Sequence, residues 1–433
     1  MYFLYSVLLG LAVLLAAPWW LARMLLQGKY RAGLSERLGQ VPPRLGLAQG
    51  CIWVHAVSVG EVLAVSGLVA ELRARFSDRR VLVSTTTATG QKLARERFGE
   101  NNVFYYPLDF GFAIRPYLRA LRPSLVVLAE SEFWPNFLRR VQGAEARIAV
   151  VNARVSDRSL PRYLRLRALW RRVLPLVDTF LAQSEEDARR LVAIGAPEAR
   201  VRIGGNLKFD VAPPKSLPAI GMLRGILQPA TAVVLAGSTA EGEDPIVLRA
   251  FSAVIEKHPR AVLILAPRQP ERFDSVAELI VASGFKLCRR SQLAGGESLS
   301  GGVVLLDSIG ELGALYSLAS VAFVGGSLVP RGGHNILEPA QFGVATLVGP
   351  HTENFRDIIG IFSRAGAVRV VSSESFTGEL LRLLGDARAR QDLGRRAAEV
   401  VRQQRGATER TLNELENLLT APVRTGQHEH AAT

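Results

Sequence analysis

The sequence predicts two open α/β domains, each a parallel sheet covered by helices, behind an apolar amino-terminal helix. Three observations predict it. A chain of 433 residues exceeds one ordinary core of ~100–200 residues and suits two. Short apolar runs alternate with helically spaced runs, and the pattern restarts after a proline-rich break. Between Met1 and Ala22 there is no charged residue. A hydrophobic content of 48% with 21% charged residues excludes a largely disordered chain.

Residues 1–22 match the ~20 apolar residues a helix needs to cross the hydrocarbon core, so they are expected to anchor the chain in a membrane. Arg23, Lys29, Arg31, Arg37 and Arg44 follow, opposed nearby only by Glu36, which places the rest of the chain on the cytoplasmic face. Trp19 and Trp20 would lie at headgroup level, and Pro18 would kink the last turn. A cleavable signal peptide would carry its positive charges ahead of the apolar run, and none precede it here. A single span is the preferred reading; a helix that dips into one leaflet is the alternative.

The first domain is expected over residues 23–212. Cys51–Val57, Val81–Thr85, Val103–Tyr106, Leu125–Ala129, Ile148–Val151 and Thr179–Ala182 read as strands too uniformly apolar to have a solvated face. Gly60–Phe76 and Gln91–Phe98 read as helices between them. Val211–Pro218, with three prolines around a lysine, reads as a linker. The second domain, residues 213–420, repeats the pattern with strands at Ala232–Ala236, Ala261–Ala266, Val303–Leu306, Val321–Val324, Ala345–Val348 and Val368–Val371, then a helical region from Asp386 to Leu419. Residues 421–433 read as a polar tail in which His428 and His430 are solvated rather than metal-binding. Cys51 and Cys288 lie far apart and read as inert thiols in a reduced compartment.

A formal charge of +14 suits an anionic partner. With no zinc-like Cys spacing, Walker loop or RNA-binding signature, anionic lipid or a phosphorylated substrate ranks ahead of nucleic acid.

Ligands of open α/β sheets bind beyond the carboxyl ends of the strands, and polar motifs stand there. Glu61 of Ser58–Glu61 opens a helix after the first strand; it either complements the helix dipole or acts as a general base. Glu130 and Glu132 share a face if strand geometry persists, and two close carboxylates should raise one pKa; otherwise they form an exposed acidic rim. Trp134 reads as packing. Lys208 is either solvated or held against the crevice, where it would neutralise a substrate anion. In the second domain Pro267-Arg268, Ser308–Glu311, Gly325–Ser327 and Gly332–Pro339 follow strands. The glycines are expected to cradle a phosphate on a helix amino terminus, with Glu338 accepting from ribose hydroxyls. No Asp-X-Asp occurs, so no metal clamp is indicated, and Arg268 or Lys208 would meet leaving-group charge. Asp109-Phe110-Gly111 resembles a kinase triplet without its companions and is read as chance.

Taken together, Ser58–Glu61, Glu130–Asn136, Gly205–Asp210, Pro267-Arg268 and Gly332–Pro339 resemble, in this order, the 3-deoxy-D-manno-octulosonic acid (Kdo) transferases of lipopolysaccharide synthesis. The resemblance covers nearly the whole chain. It implies a GT-B fold of two Rossmann-like domains facing across a cleft, CMP-Kdo as donor, the lipid A precursor as acceptor, and no metal or other cofactor. It implies the cytoplasmic face of the inner membrane, among anionic lipids. It implies Glu61 as the base, Glu130 and Lys208 assisting the transition state, and CMP bound by Pro267, Arg268, Gln269, Ile309, Gly310, Glu311, Gly333, His334, Asn335, Ile336, Leu337 and Glu338. A nucleotide-sugar epimerase and a non-catalytic lipid A-binding protein are the competing expectations; the apolar start counts against the first, and CMP release from CMP-Kdo would exclude the second.

Overall fold

The computed structural model describes residues 1–27, 32–46, 50–210, 218–227, 232–293 and 299–421. The expected linker, except Pro218, and the tail from residue 422 lie outside them, as do Lys29 and Arg31 of the basic stretch.

Two compact units result, Met1–Asp210 joined by the segment from Arg405, and Val211–Gln404. The first holds seven strands, β1 (Ile52–His55), β2 (Val81–Thr85), β3 (Val103–Tyr105), β4 (Leu125–Ala129), β5 (Arg147–Ala153), β6 (Thr179–Ala182) and β7 (Val201–Ile203). Their order is β3-β2-β1-β4-β5-β6-β7. The second holds β8 (Val233–Thr239), β9 (Val262–Pro267), β10 (Leu287–Arg289), β11 (Val303–Leu305), β12 (Val321–Val324), β13 (Ala345–Val348) and β14 (Arg369–Val370). Their order is β10-β11-β9-β8-β12-β13-β14. Every pairing is parallel. β7 and β10 were not expected from the sequence; both lie at a sheet edge and are only partly buried, so neither carries a continuous apolar run.

Helices cover both faces of each sheet, and the burial explains why the strands are so apolar. In the first unit Trp53, Phe104, Tyr117 and Phe137 stack on one face, with Trp53 centroids 5.2 Å from Phe104 and 5.1 Å from Phe137. The indole N–H of Trp53 donates to the Ser84 hydroxyl at 2.7 Å, so the largest core residue leaves no orphan donor. Val54, Val65, Leu68 and Leu125 fill the opposite face. Each such side chain contributes about 1.5–3 kcal/mol over its exposed state.

The domain limits differ from expectation. The units part at Asp210 and Val211 rather than between 212 and 213, and the carboxy-terminal helical region is two helices, Ala387–Gln404 and Ala407–Thr420. The second of these belongs to the first unit, not the second. Asp210 accepts the Gly406 N–H at 2.7 Å and the Thr408 N–H, satisfying donors at that helix's start. Ala407, Leu412 and Leu415 then join the cluster formed by Val62, Val65 and Leu68 of helix Val59–Arg75.

The apolar helix runs Tyr2–Gln27, through Pro18, and no residue of its apolar window is fully buried, though Tyr2, Tyr5 and Ser6 are half-buried. Arg23 lies over the Trp19 ring, 4.3 Å from its centroid. Asn136 donates from Nδ2 to the Ser6 hydroxyl at 3.0 Å, and the Tyr5 hydroxyl hydrogen-bonds Asp109. Downstream, Glu36 accepts the Tyr105 N–H at 2.7 Å and Arg37 accepts the Leu108 N–H at 2.8 Å through its carbonyl. The helix start and the segment after it therefore both rest on the first unit. A helix that crossed a bilayer would set Ser6 and Arg23, ~25 Å apart along its axis, at opposite faces, whereas the leaflet-dipping alternative keeps both at one face. Phe3→Cys, in a Cys288→Ser background, is expected to react with an impermeant maleimide only after spheroplasts are lysed; labelling from outside would show a crossing.

Candidate active site

Strand order reverses between β1 and β4 in the first unit, which opens a crevice at their carboxyl ends. Glu61, in the first turn after β1, and Glu130, the residue after β4, stand on its two sides. One Glu61 oxygen accepts the Val57 N–H at 2.8 Å and the other accepts the Ser58 hydroxyl at 3.1 Å. Both bonds favour the carboxylate, yet burial outweighs them and, with repulsion from Glu130 and Glu132, pushes the Glu61 pKa up to about 7. A residue that only complemented a helix dipole would be shifted down. Here the carboxyl is poised to exchange a proton near neutrality.

Glu130 has φ 60, a left-handed conformation that costs a non-glycine residue energy and is held by the Glu130 N–H donating to the Val151 carbonyl at 2.9 Å. The strand stops at Ala129, so the pleated geometry assumed for Glu130 and Glu132 does not persist. The two still interact. Glu132 is raised, chiefly by burial and also by Glu130, while the Trp134 indole N–H donates to it at 2.8 Å and opposes the rise. Trp134 is therefore a hydrogen-bond donor as well as a partly exposed ring.

Lys208 Nζ lies 3.8 Å from a Glu130 oxygen, each side chain about a quarter exposed, so the lysine is held at the crevice. Asn152 and Gln183, not singled out from the sequence, put it there together with Asn206 of the Gly205–Asp210 run. The Asn152 Oδ1 accepts the Leu207 N–H at 3.1 Å, Asn206 Oδ1 accepts the Lys208 N–H at 3.0 Å, and Asn206 Nδ2 donates to Gln183 at 2.9 Å. Asn152 itself sits at φ 53 within β5, a conformation that asparagine tolerates better than most residues. An asparagine ending an apolar strand was the available signal. Asp109, read as chance, proves to be structural. Its oxygens accept the N–H groups of Asn136 and Phe137 at 3.1 and 2.7 Å, in the first turn of helix Pro135–Gly143.

The second unit repeats the reversal at β8, between β9 and β12. Here the glycine-rich loop after β12 behaves differently from expectation. Glu243, fully buried, accepts the N–H groups of Gly326 at 2.7 Å, Ser327 at 2.9 Å and Leu328 at 2.8 Å, plus that of Ala240 at 2.7 Å. Those donors already hold a carboxylate of the protein and are not free for a phosphate. The helix after Gly332-Gly333 is only Leu337–Ala340, too short to supply a useful dipole, and the Leu337 N–H is taken by Asn335 Oδ1 at 3.1 Å. Gly333 closes the loop instead, donating to the Gly326 carbonyl at 2.7 Å; Gly326, at φ 68, leaves no room for a Cβ, which would stand 2.9 Å from the His334 ring.

Around this frame several expected residues meet. Arg268 and Gln269 are exposed just past the buried Pro267, and the charge of Arg268 is felt at His334 and Glu338. Burial, assisted by Arg268, lowers the His334 pKa to about 4, so the ring is neutral at pH 7. Burial raises Glu338, against a 3.4 Å hydrogen bond from Asn335 and the pull of Arg268. Gly313 is beside Glu338, since a Cβ there would lie 3.7 Å from its carboxylate; this brings the Ile309–Glu311 stretch into the same neighbourhood. Ile309 is 78% exposed and Gly310 has φ 90, whereas Glu311 is engaged by Arg290 at 2.8 Å and by Ser308. Ile336 and Leu337 are buried packing residues and present no side chain to a ligand. Among the described residues, no three His, Cys, Asp or Glu side chains gather as metal ligands.

Residues 32–211 match the family described as 3-Deoxy-D-manno-octulosonic-acid transferase (kdotransferase). The 3-deoxy-D-manno-octulosonic acid transferase of Haemophilus influenzae is 34% identical over 406 residues, 91% of this chain and 93% of that protein. The chain belongs to the 3-deoxy-D-manno-octulosonic acid transferases. The transferase of the same name from Bordetella pertussis is 35% identical over 95% of this chain and 97% of its own. The chain is therefore a glycosyltransferase that uses Kdo. A putative UDP-N-acetylglucosamine 2-epimerase from Listeria monocytogenes superposes over 86% of this chain and 96% of its own with a TM-score of 0.55 at 15% identity, a likeness of fold alone. That fold is of GT-B type, built from two Rossmann-like units.

Proposed function

We propose that the chain transfers Kdo from CMP-Kdo to the lipid A precursor in lipopolysaccharide biosynthesis, with inversion at the anomeric carbon. The observation that carries this reading is Glu61, a carboxyl raised to about 7 by burial at the β1–β4 reversal of a Kdo transferase. The acceptor hydroxyl oxygen bonds to the anomeric carbon, its proton passes to Glu61, and the bond to the CMP phosphate breaks with the electron pair leaving on CMP. Glu130 and Lys208, 3.8 Å apart, supply opposed charges beside the base. The first unit takes the acceptor. The second takes CMP through Arg268, Gln269, the Ile309–Glu311 stretch, Gly333 and the His334–Glu338 group, with Pro267, Ile336 and Leu337 shaping the backbone behind them. The reaction uses no metal and no further cofactor, and no nucleic acid is a partner. The apolar helix holds the enzyme on the cytoplasmic face of the inner membrane, among anionic lipids.

The test incubates full-length protein with CMP-Kdo, a tetraacylated lipid A precursor and a chelator, followed by mass spectrometry. Lipid product heavier by one or more Kdo residues, with release of CMP, is expected. CMP release without lipid product would point to another acceptor, and no release would reject the donor.

A further inference from the structure

Helices Gly111–Leu121 and Pro135–Gly143 of the first unit enclose an open groove of about 770 Å³. Arg115, Arg119 and Arg122 line it from one side, and Asn136, Arg139 and Arg140 from the other. Among the described residues none of these five arginines has an ion pair with a carboxylate. The nearest acid to Arg140, Asp109, already accepts two backbone N–H groups and a Tyr5 hydrogen bond. Arg140 is pulled below its ordinary pKa chiefly by burial and further by Arg115 and Arg139, against the pull of Asp109. Five cations converge here with Asp109 as the acid that opposes them at Arg140, and the excess positive field favours an anion.

The place of the groove identifies the anion. Arg139 covers the Tyr2 ring at 4.6 Å and Asn136 donates to Ser6, so the apolar helix begins at the groove's rim. From there it exposes Phe3 at 84%, Leu14 at 69% and Leu15 at 83%. Apolar surface beside a cationic recess is the composition of an element lying at the lipid headgroups, tail-seeking on one side and phosphate-seeking on the other. The groove also lies on the helix layer opposite that of helix Val59–Arg75, which carries Glu61, so it is not the place where the acceptor hydroxyl reacts.

We propose that this groove binds the phosphates of anionic phospholipid headgroups and thereby seats the first unit on the bilayer. The proposal rests on the membrane reading above and names the site within it.

The test is flotation of the full-length protein with vesicles of phosphatidylcholine alone and with one third phosphatidylglycerol. Wild type is expected to favour the anionic vesicles. The triple variant Arg115→Gln/Arg119→Gln/Arg122→Gln is expected to lose that preference by about 100-fold, from roughly a fivefold loss per arginine, while still binding neutral vesicles through the helix. The lysine triple at the same positions should retain most of it, which excludes misfolding as the cause. Removing three exposed arginines from the second unit, Arg388→Gln/Arg395→Gln/Arg402→Gln, should leave it unchanged. Equal loss in that control would overturn the proposal as bulk charge. Wild type without lipid preference would overturn the groove alone, whereas wild type that floats with neither vesicle would overturn the membrane reading too. In detergent, a triple variant whose KM rises only for a phosphorylated acceptor would reassign the groove to the acceptor's phosphates and overturn it as a phospholipid site.

Discussion

Replacing Glu61 with Gln is expected to lower turnover by about 10²–10⁴-fold while leaving CMP affinity unchanged. The amide would keep the size of the side chain and a hydrogen bond to Val57 or Ser58, and it cannot take a proton. In the wild type, log kcat/KM should climb with pH and level off above about 7, since the ionised carboxyl is the active form and burial holds its pKa there. Stability runs the other way. The folded pKa lies above the ordinary value of 4.5, so between that value and about 7 the native state binds more protons than the unfolded chain, and Glu61's contribution falls as pH rises. The Glu61→Gln variant should therefore melt no lower than wild type at about pH 8. A variant with near-normal turnover would remove Glu61 as the base, and one that melts lower would show a structural role.

The second large effect is expected at Glu243, a residue with no part in the proposed proton transfer. Glu243→Ala leaves three buried N–H groups, those of Gly326, Ser327 and Leu328, and the part-buried N–H of Ala240 without an acceptor. Each unsatisfied donor costs about 1–3 kcal/mol, and partial relaxation or water entry brings the total to on the order of 4 kcal/mol. For a unit of this size that is a drop of roughly 10 °C in the melting step of the second unit, with the first unit's step unmoved. CMP binding should weaken with it, because the loop carrying Gly333, His334 and Asn335 is closed onto Gly326. Glu243→Gln, which keeps the shape but turns an amide NH₂ toward donors, should fall between the two. Calorimetry that finds both variants as stable as wild type would show that the loop holds itself.

Much of this architecture is legible in the chain itself. β2, β4, β6, β12 and β13 coincide with apolar runs, because a strand covered on both faces must be apolar throughout. Two of the four sheet edges, β7 and β10, are not legible. β7 and β10 keep polar residues such as Arg202 and Arg289 among apolar ones, since one side of each meets solvent or a single neighbour. The catalytic candidates stand out by position, after strands, but their supports do not. Asn152, Gln183, Asn206 and Glu243 act on backbone groups or side chains that include ones distant in sequence, and no local pattern marks a side chain whose partner is far along the chain.

By itself the sequence determined the two parallel sheets, the apolar amino-terminal helix, and the carboxylates and arginines beyond strand ends, for periodicity and burial are written residue by residue. Tertiary structure alone decided three things: the proton affinity of Glu61, the occupation of the glycine loop by Glu243, and the return of the last helix to the first unit. Each depends on distance between groups remote in the chain, and the strength of electrostatics and hydrogen bonding follows that distance and the surrounding dielectric, neither of which a one-dimensional order contains.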